Sequence, residues 1–239
     1  MNVFAKTLAV PSDNEKRLKW LEISDAQRAE LENAMIRRTH RSGEALFLEG
    51  EQCQGVHFVL SGAVGIRKTD IDGNSFLLHL ANVGEPIGYQ ALLSGEDYSF
   101  EAEALAPSEV GFVPKAQFLN LLARAPEFAF QLLKQTASDL EDAERRSFEL
   151  LTKPARARVV RLLWLLKDEY ATKSQDGSTV MELPFTRKDM ASLAGITPET
   201  ISRVIRKLMD EGVAQFIDRT VRIPDWRRLD RNLEFEMAA

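Results

Sequence analysis

Glu199, Ser202 and Arg203 fall at a spacing that sets a carboxylate, a hydroxyl and a guanidinium on one side of a helix, opposite Ile201, Val204, Ile205, Leu208 and Met209. The apolar set recurs at i, i+3, i+4, i+7 and i+8, the pattern of a helix buried on one face. The polar set matches what base edges present in a major groove. Arg203 can donate two hydrogen bonds to guanine O6 and N7, Glu199 can accept from cytosine N4, and Ser202 can accept, donate or meet a thymine methyl. Thr186, Arg187, Thr200, Arg206 and Lys207 suit phosphates, which orient a protein on duplex without reading its sequence. The competing account is an amphipathic helix with a merely solvated polar face.

Start, turn and stop signals around this helix favour the first account. Thr197 is an N-cap followed by Pro198 at the first helical position, where a missing N–H costs nothing. Before it, a Gly195-Ile196 turn separates a shorter helix that starts at the N-cap Thr186, with Asp189 completing an approximate capping box. Asp210-Glu211-Gly212 ends the second helix, and Val213 to Ile223 reads as a hairpin wing. Upstream, Ala155 to Tyr170 is a helix, Lys173 to Ser178 a loop and Val180 to Phe185 a short edge strand. Asp225 onward reads as a short helix and tail.

The first half has a different texture. Asp25 to Ile36 reads as a helix carrying Leu31, Met35 and Ile36, with Ser24 or Asp25 as its cap. From Gly43, short apolar runs alternate with glycine: Val56, Phe58 and Leu60, then a break at Ser61-Gly62. Asp72-Gly73-Asn74 joins Ile66–Thr69 to Phe76–Leu80 as a hairpin. Turns follow around Gly84-Glu85-Pro86, Ser94-Gly95 and Ala106-Pro107. Short strands with regular turns predict a closed or sandwiched antiparallel structure. Helical periodicity returns at Lys115. Pro126 to Leu151 reads as one long helix with Phe130, Leu133, Ala137, Leu140, Ser147 and Leu151 in a heptad-like seam that includes Glu144; a dimer helix is the favoured reading, and a helix packed on its own β domain the alternative. Thr152-Lys153-Pro154 is the hinge after it.

The chain has 239 residues, 44% hydrophobic and 28% charged, enough for two domains with cores of their own. No apolar run spans a membrane, and the N-terminus lacks a secretion-signal pattern, so a cytoplasmic protein is expected. The single cysteine, Cys53, forms no internal disulfide. Residues 1–153 hold 16 Lys and Arg against 23 Asp and Glu, a balance of −7; residues 154–239 hold 15 against 13, or +2. The C-terminal part is the better phosphate partner, although charge alone would not identify a nucleic-acid binder.

Thr186 to Arg203 resembles the winged helix-turn-helix of the CRP/FNR regulators, the cyclic-AMP receptor protein and its relatives. Gly43-Glu-Ala-Leu-Phe-Leu-Glu-Gly50 and Phe58-Val-Leu-Ser-Gly62 look like the family's β-roll signatures, and Glu199-Thr-Ile-Ser-Arg203 matches its FNR branch. The resemblance covers nearly the whole chain. It implies an α+β fold: an arm over residues 1–20, an antiparallel β-roll (a cyclic-nucleotide-binding-like jelly roll) over 21–125, a dimerisation helix over 126–153 and a winged helix-turn-helix over 154–239. It also implies a homodimeric transcriptional regulator that binds double-stranded DNA at a TTGAT-N4-ATCAA-like palindrome. An activator touching RNA polymerase is the expectation, with repression as the alternative.

By the same resemblance, the cyclic-AMP pocket corresponds to Ile87-Gly88-Tyr89-Gln90 and Asp97-Tyr98-Ser99-Phe100, with Asp139, Ala143 and Glu144 on the long helix. An aromatic stands where a carboxylate should hold the ribose, no arginine faces the phosphate, and the carboxylates repel it. Cyclic AMP is therefore not expected. One thiol cannot hold an iron–sulfur cluster, which needs four. Cys53 as a redox switch, and His40, His57 or His79 as a haem ligand in a nitric oxide or redox sensor, are the remaining sensor candidates. No cofactor and no resident metal are expected. A cupin-like metal enzyme is the rival from another class, but the three histidines are far apart in sequence and no hydrolase or phosphate-loop motif occurs, so no catalytic residue is assigned.

Overall fold

The computed structural model describes residues 24–81 and 83–229. They divide between Leu140 and Glu141 into two compact units. The arm expected over residues 1–20 and the tail beyond residue 229 lie outside the described residues.

In the first unit, helix α1 (Asp25–Ala34) starts at a full capping box. The Ser24 hydroxyl accepts the Gln27 N–H, and the Gln27 side chain answers on the Ser24 N–H. The helix stops before Met35, which is extended. Ile36, expected within it, instead opens strand β1 (Ile36–His40) and is 48% exposed. The run Ile-Arg-Arg-Thr-His lacks apolar alternation, so its strand pairing was not legible.

Seven more strands follow: β2 (Ala45–Phe47), β3 (Gly55–Ser61), β4 (Val64–Thr69), β5 (Ser75–Ala81), β6 (Pro86–Ile87), β7 (Glu101–Ala104) and β8 (Ser108–Pro114). They form two four-stranded sheets, in the orders β1-β8-β3-β6 and β2-β7-β4-β5, with every pairing antiparallel. The hairpin at Asp72-Gly73-Asn74 is present. The Asp70 carboxylate accepts the N–H groups of Asp72 and Asn74, and Gly73 takes φ +81°, a left-handed value glycine adopts without a Cβ clash. Val56, Phe58 and Leu60 are buried as the alternation requires. Val59 is buried too, because β3 is covered on both faces. Phe58 packs toward Phe118 of α3 (Lys115–Arg124), while its neighbour His57 faces Phe47 of the other sheet.

A short helix not anticipated from sequence, α2 (Tyr89–Ser94), lies between β6 and β7, bounded by Gly88 and Gly95 in left-handed conformations. The long helix α4 (Pro126–Thr152) buries Phe128 and Leu132 in the first unit's core and leaves the seam residues Phe130, Leu133, Ala137, Leu140, Glu144, Ser147 and Leu151 exposed.

The second unit contains α5 (Ala155–Tyr170), β9 (Ala171–Lys173), β10 (Thr179–Glu182), α6 (Arg187–Leu193), α7 (Pro198–Asp210), β11 (Gln215–Ile217) and β12 (Thr220–Ile223). Its sheet runs β11-β12-β10-β9. The strand expected at the edge, Val180–Phe185, is thus shorter and interior. The chain leaving α5 continues into β9, turns at Ser174–Ser178 and pairs with β10 on the side away from the wing. Ala171-Thr172-Lys173 is too short for its alternation to be read.

Candidate nucleic-acid interface

Helix α7 is seated by burial of Ile201, Ile205 and Leu208, each at most 3% exposed. At roughly 1.5–3 kcal/mol per buried aliphatic side chain, this face fixes the rotation of the helix about its axis. Val204 is half-buried. Met209, read as part of the stripe, is exposed: it lies at the edge of the face, and Val213 and Ala214 fill the space beyond the helix end. Both ends of α7 are tied. The Thr197 hydroxyl accepts the Thr200 N–H at 3.3 Å, with Pro198 at the first position. At the other end the Arg156 guanidinium, from the start of α5, holds the Glu211 carboxylate with two bonds and lowers its pKa.

The preceding helix begins as expected. Thr186 accepts the Asp189 N–H at 3.2 Å, and the buried Asp189 carboxylate accepts the N–H and hydroxyl of Thr186. Between the helices Gly195 has φ +61°. A Cβ there would lie 2.2 Å from Cδ2 of Leu150. The turn therefore requires glycine for conformation and for space.

On the free face of α7, Glu199, Ser202 and Arg203 are all exposed and fall on one side. The Ser202 hydroxyl donates to the Pro198 carbonyl at 2.8 Å, which leaves its oxygen as an acceptor. Arg203 Nη2 donates to Thr200 Oγ1 at 3.1 Å, and this oxygen also receives the Thr197 hydroxyl. Thr200, assigned to phosphate, is consequently half-buried and engaged in orienting Arg203. The backbone N–H of Glu199 itself, the Thr197 hydroxyl and the Arg203 guanidinium hold the Glu199 carboxyl below its ordinary pKa, so it is an acceptor throughout the neutral range. Arg187, Arg206 and Lys207 are exposed, and Thr186 is exposed with its hydroxyl committed to the cap. Lys188 on α6 and Arg219 at the wing tip are further exposed cations that sequence reasoning passed over. The wing tip is defined by Asp218 at φ +51° between β11 and β12, a signal that was present in the Ile-Asp-Arg-Thr run.

The sensor candidates are dispersed. Cys53 is buried, its Sγ 3.6 Å from the Gly55 carbonyl and 3.8 Å from that of Gly88, which shuts the thiol away from oxidants. His79 Nε2 meets Glu85 Oε1 at 2.5 Å and is not free for haem iron. His40 lies beside Glu44, and His57 faces the interior between the sheets. Among the described residues, no three His, Cys, Asp or Glu side chains gather as metal ligands. Tyr89, in the stretch expected from the resemblance to hold the cyclic-AMP pocket, is 1% exposed. Its burial, and then its bond to Asp139, push the phenol well above the ordinary tyrosine range.

A roll of two antiparallel sheets, a long helix with one face uncovered and a winged helix-turn-helix with a polar reading face define a transcriptional regulator. The cyclic nucleotide-binding domain family matches residues 37–125, and the Crp-like helix-turn-helix domain family matches residues 157–231. A cyclic AMP receptor protein from Thermus thermophilus is 30% identical over 188 residues, 78% of this chain and 83% of that protein. The transcriptional activatory protein AadR of Rhodopseudomonas palustris is 27% identical over 87% of this chain and 86% of its own. The structure of FixK2 from Bradyrhizobium japonicum superposes with a TM-score of 0.72 at 28% identity, covering 83% of this chain and 96% of that one. The chain belongs to the CRP/FNR family of transcriptional regulators. No helix among the described residues is long and apolar enough to cross a membrane.

Proposed function

We propose that this regulator is a cytoplasmic homodimer that reads a TTGAT-N4-ATCAA-like palindrome through Glu199, Ser202 and Arg203, with Arg187, Arg206 and Lys207 on phosphates. The observation that carries this reading is the grouping of those three side chains, all exposed, on the face of α7 opposite its buried stripe. A two-fold palindrome calls for two copies of the reading helix. The uncovered seam of α4, with Leu133 63% and Leu151 87% exposed, is the surface a second copy would bury. Activation through RNA polymerase is the direction we favour, supported by the activator named among the relatives.

The signal is not cyclic AMP in this reading. Tyr89 and Asp139 stand bonded to each other where the ribose and phosphate would need a carboxylate and an arginine. Haem is disfavoured by the engagement of His79.

The test is fluorescence anisotropy with a duplex carrying the palindrome and another with both half-sites scrambled. A specific reader at physiological salt should prefer the palindrome by roughly a thousandfold or more. Equal affinity for the two duplexes would remove the proposed site.

A further inference from the structure

Helix α7 ends against residues 225–229. Its last turn closes on itself: the Gly212 N–H reaches the Met209 carbonyl and the Val213 N–H the Leu208 carbonyl, both at 2.9 Å. The carbonyls of Glu211 and Gly212 lie beyond that turn. Arg228 reaches both of them, Nη2 donating to Glu211 O at 3.0 Å and Nη1 to Gly212 O at 3.3 Å. A forked guanidinium suits two neighbouring acceptors, and its charge complements the negative end of the helix dipole.

Arg228 is exposed, but the segment that carries it is anchored on both sides of it. Leu229 is fully buried. Trp226 Nε1 donates to the buried Thr179 hydroxyl of β10 at 2.7 Å. The Trp226 ring meets Trp164 of α5 edge-on at 5.5 Å, and Lys167 Nζ lies 4.3 Å and 4.8 Å from the Trp164 and Trp226 ring centroids. A cation over both rings adds to the hold of the pair. The sheet and α5 therefore set where the Arg228 fork points. Arg227, one residue earlier, bonds to Asp225 within the segment, and its side chain is 85% exposed.

We infer that residues 225–229 are a clasp on the reading helix and that Arg228 is a positioning residue for base recognition. The inference rests on the reading of α7 proposed above, but not on the particular palindrome. Ile205, buried near the middle of α7, stands six residues from Glu199 and six from Glu211, roughly 9 Å each way at 1.5 Å per residue. A rigid helix pivoting there moves its reading end as far as its clasped end. Arg156 holds the Glu211 side chain and Arg228 the backbone beside it, so the two constrain different groups. Base edges demand distance and angle together, whereas phosphate contacts carry no sequence information. Loss of the clasp consequently affects discrimination more than attachment.

The test uses the full-length chain and the duplex that wild type selects from a random-sequence pool, so the clasp is tested whether or not that duplex carries TTGAT halves. Affinity for it is compared with affinity for a scrambled duplex, well below the melting temperature of every variant. Arg228→Gln should lower the ratio of the two by roughly tenfold, the effect of weakening one base contact. Arg227→Gln removes a neighbouring charge and should leave the ratio as in wild type. Hydrogen exchange without DNA gives the second measurement: in Arg228→Gln the amides of residues 205–214 should exchange faster, with those of the roll unchanged. A merely structural Arg228 would lower the melting temperature and leave the ratio intact, and that result overturns the proposal. So does an equal fall in Arg227→Gln, unaltered exchange in α7, or a pool from which wild type enriches no sequence.

Discussion

The Tyr89 hydroxyl donates a 2.6 Å hydrogen bond to Oδ2 of Asp139, joining the short helix α2 of the roll to the long helix α4. The other carboxylate oxygen, Oδ1, accepts Gln135 Nε2 at 2.7 Å. The roll and the helix are thus connected by the chain's own side chains. Tyr89→Phe keeps the ring and removes the bond. A hydrogen bond to a charged group contributes about 1.5–3 kcal/mol, so the roll should lose that much stability in urea denaturation. An unchanged midpoint would mean that the bond is not a stabilising contact. Excess cyclic AMP should leave the wild-type melting temperature unmoved, whereas a ligand at 100 times its Kd would add about 2.7 kcal/mol.

Arg203 separates reading from mere attachment. Its guanidinium donates through Nη2 to Thr200 Oγ1, a bond that leaves its other N–H groups unused by that contact. Arg203→Ala should cost about 1–3 kcal/mol on the palindrome and abolish discrimination at a single guanine position. Lys207→Ala should weaken all duplexes alike and reduce the salt slope by about 1. Binding titrations over a series of base-pair substitutions and salt concentrations distinguish the two patterns. A uniform loss in Arg203→Ala would count against base reading by this residue.

Gly195→Ala tests the turn. The substitution forces a Cβ into φ +61° and to within 2.2 Å of Leu150 Cδ2. Such backbone strain costs of order 1–3 kcal/mol, before any displacement of Leu150. Thermal unfolding should show a lower midpoint, and affinity for the palindrome should fall because α6 and α7 lose their mutual angle. A midpoint equal to wild type would show that the turn accommodates a side chain.

Which parts of this molecule could be read from sequence depended on whether a local signal existed. Helix α7 carried four independent ones: Thr197, Pro198, the apolar stripe and Gly212. Its observed span, Pro198–Asp210, agrees with them. The hairpin at Gly73 and the capping box at Thr186 and Asp189 were likewise written in turn and cap chemistry. Strand β1 was not, because Arg37, Arg38, Thr39 and His40 show no alternation; its place is set by pairing with β8, some 70 residues away. Met209 fitted the helical period and is exposed nonetheless, since periodicity does not reveal which residues pack beyond the helix end. The engagement of Thr200 with Arg203 and of Tyr89 with Asp139 depends on rotamers and on elements distant in sequence, which spacing does not encode.

Glu144 should set the strength of self-association. It is exposed on α4, in the seam made by Phe130, Leu133, Ala137, Leu140, Ser147 and Leu151. A carboxylate at such a position is desolvated, and faces its own copy, when two helices pair. Glu144→Leu should tighten the dimer by roughly tenfold or more in sedimentation equilibrium. If the distribution between monomer and dimer does not change, the seam through Glu144 is not the pairing surface.

His57 should make the roll sensitive to acid, with a sign opposite to that of a histidine in an ion pair. Burial between the sheets, and then the positive charges of His40 and Arg38, lower its pKa from 6.5 to about 4. The unfolded chain therefore takes up a proton near pH 6.5 that the folded chain refuses until about pH 4. Stability is greatest above pH 6.5 and declines as pH falls through that interval. Between pH 7 and pH 5 this one group should remove about 2 kcal/mol from the roll. Urea denaturation of wild type and His57→Leu at several pH values isolates the effect. The variant should show a correspondingly shallower decline, whatever its stability at pH 7. Parallel profiles would mean that His57 is not held neutral in the folded roll.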